Sequence, residues 1–181
     1  LRLLQTENSN PDYHVYETLE EETQRIAETV KSLVAFAQPR EPVKSAVDLN
    51  DILKDVICSF KDTGLGNGAQ IVESLDKNMP AIMADKEQIA LACRNIIDNS
   101  RRATNGKTCL EIVTKMGTSN NINVFFCDPG RGIPSDVIDK VFDPFFVEND
   151  EERGMGLGLC VSHDIIKRHG GSLTAKNQKE K

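Results

Sequence analysis

Asn95 and Asn99 stand four residues apart, and Arg102 follows three further on. On a helix this spacing puts them on roughly one face. Two neutral amides and a cation suit a triphosphate with its divalent cation. Mg2+ is a hard ion that takes oxygen ligands and keeps several waters, so an amide carbonyl can supply one ligand while phosphates supply others. A polar, solvated helix face would use the same residue types. Asp128 ends an apolar run, Ile122–Cys127, where a carboxylate has little structural reason to be. When ionised it only accepts hydrogen bonds, so it can recognise a donor such as the amino group of adenine. The plainer reading is an Asp-Pro-Gly turn. Gly130 and Gly132 would let the backbone pass close to a flat ring. Gly154-Met-Gly156-Leu-Gly158 precedes a helical pattern, so its N–H groups could turn toward phosphate with a helix dipole behind them. It is neither a dinucleotide fingerprint nor a Walker loop.

These residues need a scaffold. Asp85 to Thr104 predicts a helix, with Asp85 as cap, Gln88 as capping-box partner and Asn105-Gly106 as the stop. Leu91, Ile96, Ile97 and Ala103 would pack on the core. Leu110–Met116 alternates and Ile122–Cys127 is largely apolar; the turn at 117–121 between them predicts an antiparallel pair. A helix from Val47 to about Lys61, capped by Asp48 or Asn50, and a strand from Gln70 to Leu75 precede them. Gly64-Leu-Gly66-Asn-Gly68 imitates a phosphate loop, but a strand follows instead of a helix N-terminus, so it reads as a turn. Pro134–Phe142 reads as a short helix. Gly156–Arg168 reads as another, ended by His169-Gly170-Gly171, and Ser172–Lys176 as the start of a last strand. Strands and helices mix without strict alternation. The expected fold is an α+β two-layer sandwich, with helices on one face of a mixed, largely antiparallel sheet.

A long helical pattern, Tyr13–Ala37, stands before this unit. Its apolar stripe of Leu19, Ile26, Val30, Leu33 and Val34 is narrow, which suits a bundle or coiled-coil seam; an ordinary surface helix is the alternative. Pro39 and Pro42 stop it. The expected division is 1–42 and 43–181. The 181 residues carry a net charge of −6, which argues against non-specific nucleic-acid binding. No apolar run is long enough to span a bilayer. The chain begins at Leu1 rather than Met, so it reads as part of a longer protein. Its five cysteines lack CxxC spacing, which points to reduced, mostly buried thiols in a cytosolic setting rather than a disulfide framework or zinc site.

Order and spacing say more than any one motif. Asn95-Ile-Ile-Asp-Asn99-Ser-Arg-Arg-Ala resembles the N box, Asp128-Pro-Gly-Arg-Gly132 the G1 box, Phe142-Asp-Pro-Phe-Phe146 the F box and Gly154-Met-Gly-Leu-Gly158-Leu159 the G2 box. The four follow the order found in the catalytic ATP-binding domain of two-component sensor histidine kinases, in the GHKL superfamily. The likeness covers roughly residues 46–176. Residues 17–42 are similar to the second helix of the dimerisation and phosphotransfer domain with its exit linker.

The resemblance implies a Bergerat ATP pocket. Asn99 would ligand Mg2+, Asn95 would line the phosphate side, and Arg102, followed by Ala103, would contact phosphate. Asp128 would bind the adenine amino group, with Gly130, Gly132 and Ile133 beside the ring. Gly154, Gly156, Leu157, Gly158 and Leu159 would form the phosphate-binding turn. Residues 147–153 would be the mobile lid, its carboxylates facing solvent and Arg153 reaching the γ-phosphate. ATP, Mg2+, a response-regulator receiver domain and a second copy of the chain through the helical bundle are the implied partners.

Three departures bear on chemistry. ATP-hydrolysing members carry a glutamate four residues before the metal asparagine; here that place is Asn95, which cannot act as a general base. That favours holding ATP for transfer over hydrolysing it. No H box is present: His14 lacks the following acid and proline, and His163 and His169 belong to the late helix, so the phosphate acceptor is expected before Leu1. Pro129 removes one N–H from the G1 box. Alternatives are a degenerate, nucleotide-gated module, favoured by the acidic lid, and an anti-sigma-factor serine kinase, disfavoured by the Glu17–Ala37 helix.

Overall fold

The computed structural model describes residues 13–62, 70–104, 109–118, 121–148 and 155–178. The turn expected at 64–68, the helix stop at 105–106, and Arg153 and Gly154 lie outside the described residues. The chain divides into two compact units between Pro39 and Arg40. The first contains helix α1 (Tyr13–Ala37), which closes with Gln38 N donating to Val34 O before Pro39. Val15, Leu19, Ile26, Val30 and Val34 form an exposed apolar stripe along it.

In the second unit the elements run β1 (Ser45–Val47), α2 (Leu49–Asp62), β2 (Gln70–Leu75), β3 (Ile82–Ala84), α3 (Lys86–Ala103), β4 (Cys109–Met116), β5 (Ile122–Cys127) and α4 (Gly158–Arg168). One sheet has the order β2-β4-β5, parallel between β2 and β4 and antiparallel between β4 and β5; β1 and β3 form a separate antiparallel pair. The α+β class and the mixed sheet are as the sequence predicts. β1 and β3 are not predicted, because three residues each are too few for alternation to register.

Leu110, Ile112 and Thr114 alternate along β4 and are buried, so one face of the sheet meets the helices. From α2, the buried face is Ile52, Leu53, Val56, Ile57 and Phe60. Each such side chain contributes about 1.5–3 kcal/mol of burial. A polar knot fixes α2 on that face. Thr114 Oγ1 donates to Asn50 Oδ1 at 3.0 Å and accepts from Asp76 N at 2.9 Å, while Asn50 Nδ2 donates to Asp76 O at 2.8 Å. Asp48, the first of the two expected caps, accepts from Asn50 N at 2.8 Å.

Asp85 caps α3 as expected, with Oδ1 accepting from Glu87 N and Gln88 N, each at 3.1 Å. Gln88 does not complete a capping box. Its Nε2 donates to Arg40 O, and the Asp85 N–H goes to His169 Nε2 at 3.0 Å. Arg40 and Val43 N also bind the Asp85 carboxylate, which places residues 40–42 with the second unit, ahead of the break expected after Pro42.

Four further expectations are corrected. Pro134–Phe142 is a chain of turns bonded three residues apart (Val137 N to Pro134 O, Lys140 N to Val137 O, Asp143 N to Lys140 O) rather than a helix. The β-branched Val137, Ile138 and Val141 are poor helix formers in so short a segment. Residues 171–178 carry no regular element, so Ser172–Lys176 is no strand. The last helix starts at Gly158 because Gly156, at φ +64°, cannot join a right-handed helix. No helix among the described residues is long and apolar enough to cross a membrane. All five cysteines are thiols, but only Cys93 is buried; Cys58 and Cys109 are exposed, against the expectation of mostly buried sulfur.

Candidate nucleotide site

The end of α3, the turn after β5 and the start of α4 come together. Asn95 Nδ2 on α3 donates to Gly158 O, the first residue of α4, at 3.2 Å. One helical turn on, the Ser162 hydroxyl, fully buried, donates to Gly158 O at 2.8 Å and to Ala92 O at 3.3 Å. Small residues on both helices let the backbones approach closely enough for these bonds. Ser162 was not among the predicted site residues, and a lone serine in an apolar helical pattern gives no signal of such a role.

At the other end of α3, Ala103 meets the turn after β5. A Cβ at Gly130 would stand 3.1 Å from Ala103 Cβ and 2.6 Å from Asp128 Oδ1, so only glycine fits. Asp128 Oδ1 accepts from Gly130 N at 2.9 Å. One carboxylate oxygen therefore shapes the turn, and the two readings of Asp128, turn former and donor-recognising acceptor, are compatible on its two oxygens. Gly132 and Ile133 follow, and Asn177 binds Ile133 from the segment after α4.

Gly156 locks the F-box segment to the turn before α4. Its carbonyl accepts from Phe145 N at 3.1 Å, and a Cβ on it would stand 2.5 Å from Phe146 O. Phe145 answers with φ 64°, rare for a bulky residue. Leu157 is buried below, with Gly158 and Leu159 opening the helix. Phe142 lies against the His163 ring, with centroids 5.2 Å apart.

Asn99 is exposed four residues along from Asn95. Arg102 does not stand alone on that face. Asp98, with a side chain 16% exposed, holds both Arg102 and Arg101, the latter at 3.0 Å. Glu148 is paired with Arg131 of the G1 segment at 2.7 Å, so at least this lid carboxylate does not simply face solvent. Among the described residues no cluster of His, Cys, Asp and Glu could hold a metal by itself. An amide ligand supplemented by phosphate oxygens is the donor set this chain offers, and it fits Mg2+ rather than a transition metal.

A glycine-laced turn between an asparagine-bearing helix and a second helix N-terminus, on an open mixed sheet, defines a nucleotide-binding α+β domain. The sequence profile described as histidine kinase-, DNA gyrase B-, and HSP90-like ATPase matches residues 84–181, and the chain belongs to that family. The sensory histidine kinase/phosphatase NtrB of Rhodobacter capsulatus is 27% identical over 97% of this chain and 52% of its own length. The sensor histidine kinase ZraS of Escherichia coli is 26% identical over 93% of this chain and 36% of its own. The chain thus spans about half the length, or less, of these curated relatives. Among solved structures, the catalytic domain of histidine kinase ThkA matches with TM-score 0.65 at 23% identity, covering 75% of this chain and 88% of that one. ThkA in complex with the response regulator TrrA matches with TM-score 0.71 at 19% identity, covering 98% of this chain and 51% of that one. These likenesses establish the fold of a histidine kinase catalytic domain.

Proposed function

We propose that this chain is the ATP-binding catalytic portion of a sensor histidine kinase, which passes the γ-phosphate of ATP to a histidine for relay to a response-regulator aspartate. The observation that carries it is the convergence of the N, G1 and G2 segments: Asn95 bonded to Gly158 and Ala103 packed on Gly130.

In this reading Asp128 takes the adenine amino group on the oxygen that does not hold Gly130. Gly132 and Ile133 lie beside the ring. Backbone N–H groups at Gly154–Leu159 meet the phosphates, Arg102 neutralises charge there, and Asn99 holds Mg2+, with Arg153 reaching from the lid. The bound cation would offset triphosphate charge. Asn95 supplies no base, and its amide nitrogen is already committed to Gly158 O, so water is not activated from that side. Transfer breaks the bond between the γ-phosphorus and the bridging oxygen and forms a bond to an imidazole nitrogen, with ADP leaving.

The acceptor is not His169: its Nε2 accepts from Asp85 N, and its Nδ1 is bonded to Ile165 O. His163 packs on Phe142. The exposed apolar stripe of α1 supports pairing with a second copy in a helical bundle. The ThkA–TrrA complex supports a receiver domain as partner.

Incubation with labelled ATP and Mg2+, with and without a histidine-bearing dimerisation segment from a sensor kinase, tests this. Label on the added segment and little on the chain itself is expected. Robust self-labelling of the chain, or fast phosphate release without transfer, would sink the proposal.

A further inference from the structure

The turn from Asp128 to Ile133 is held by three side chains from three parts of the chain. Asp128 Oδ1 takes Gly130 N, and Glu148 takes Arg131. The third attachment is of another kind. Asn177 Oδ1 accepts from Ile133 N at 2.8 Å, and Asn177 Nδ2 donates to Ile133 O at 2.6 Å. A side-chain amide has the donor and acceptor of a peptide group, so it pairs with both backbone groups of one residue as a neighbouring strand would.

Asn177 sits in a stretch with no regular element, so this amide pair serves no sheet of its own. Instead it fixes the residue after Gly132. Gly132 has φ +75°, and a Cβ there would stand 3.0 Å from Asn177 Oδ1. The left-handed turn and the amide therefore fit each other: the glycine leaves the space that the asparagine occupies.

We propose that Asn177 is a positioning residue for base recognition. It sets the Gly132–Ile133 backbone against the ring, so that affinity for the nucleoside part of the ligand depends on the segment that follows α4. This rests on the reading that Gly132 and Ile133 lie beside adenine. Both hydrogen bonds are solvent-exposed, so water replaces them at little cost to global stability when they are lost. Their effect is local order at the turn.

The test is affinity of the full chain for Mg-ATP and, separately, for inorganic tripolyphosphate, which has phosphates but no base. Asn177→Ala is expected to weaken Mg-ATP binding by roughly three- to tenfold, the scale of about one net hydrogen bond, because both bonds are solvent-exposed. Tripolyphosphate affinity and the nucleotide-free melting temperature should stay unchanged. Asn177→Asp, which keeps the acceptor for Ile133 N but not the donor, should recover part of the loss. Equal weakening toward both ligands, or unchanged Mg-ATP affinity in Asn177→Ala, overturns the inference while leaving the proposed function standing. No Mg-ATP binding by the unsubstituted chain overturns both.

Discussion

Asp98 governs where Arg102 points. Its carboxylate lies between Arg101 and Arg102, one and the same helix turn away from both. In the proposed site a triphosphate would compete with it for those guanidinium groups. Asp98→Asn is therefore expected to tighten Mg-ATP binding by roughly two- to fivefold, since it removes a like charge and frees the cations. Weaker binding would show instead that the carboxylate holds Arg102 in its productive pose. Asp85 is the second telling residue. Burial alone would push its carboxyl up, but N–H bonds from Gln88, Val43 and Glu87 and the charge of Arg40 outweigh that and hold it below the ordinary carboxylate range. A depressed folded-state pKa contributes stability above the unfolded value, near about 4, that is lost as pH falls through the folded one. Urea unfolding between pH 3 and 6 should show that loss, and Asp85→Asn should flatten it. An unchanged slope would remove Asp85 as its source. The sequence made Asp85 legible as a cap, because a cap is a local arrangement. His169, which takes the Asp85 N–H, lies 84 residues away, and no local pattern could pair them.

Between elements, glycine marks contacts that composition alone does not explain. Gly156 was legible as part of a phosphate turn, but its tightest neighbours are Phe145 and Phe146, within the F box. Gly156→Ala would meet that backbone and a left-handed φ together. It should cost at least about 1–3 kcal/mol of stability and weaken Mg-ATP binding as the G2 turn shifts. Denaturation midpoints and titration measure both; a wild-type midpoint would mean that the F box does not dock on Gly156. Long periodic segments such as α1, α2 and α3 were readable because a repeating face leaves many residues to register it. The segments at 134–142 and 172–176 were not. A few β-branched residues look alike in a turn, a helix or a strand until partners are known.

The whole chain joins a helix with an exposed apolar stripe to a domain whose nucleotide motifs, Asn95 and Gly158 among them, meet across 63 residues of sequence. Motif order made that meeting legible; the polar attachments that bring it about, from Ser162, Glu148 and Asn177, carry no sequence signature. Folding also sorts the cysteines. Burial pushes the Cys93 thiol up to about 12 and seals it from reagents. A maleimide at neutral pH should modify Cys58 and Cys109 in the native chain and reach Cys93 only after unfolding; peptide mapping would reveal early Cys93 modification if the α3 packing were wrong. The central claim is that Asp128 reads the base of a bound ATP. With Oδ1 kept for Gly130 N, asparagine at 128 would present an NH2 donor in place of the second carboxylate oxygen, donor against donor with the adenine amino group. Calorimetric titration with ATP and Mg2+ of the chain and of its Asp128→Asn variant is the direct test. One ATP per chain, bound at least about tenfold more weakly by the variant, is expected. No binding by the unsubstituted chain, or equal binding by both, would contradict the claim.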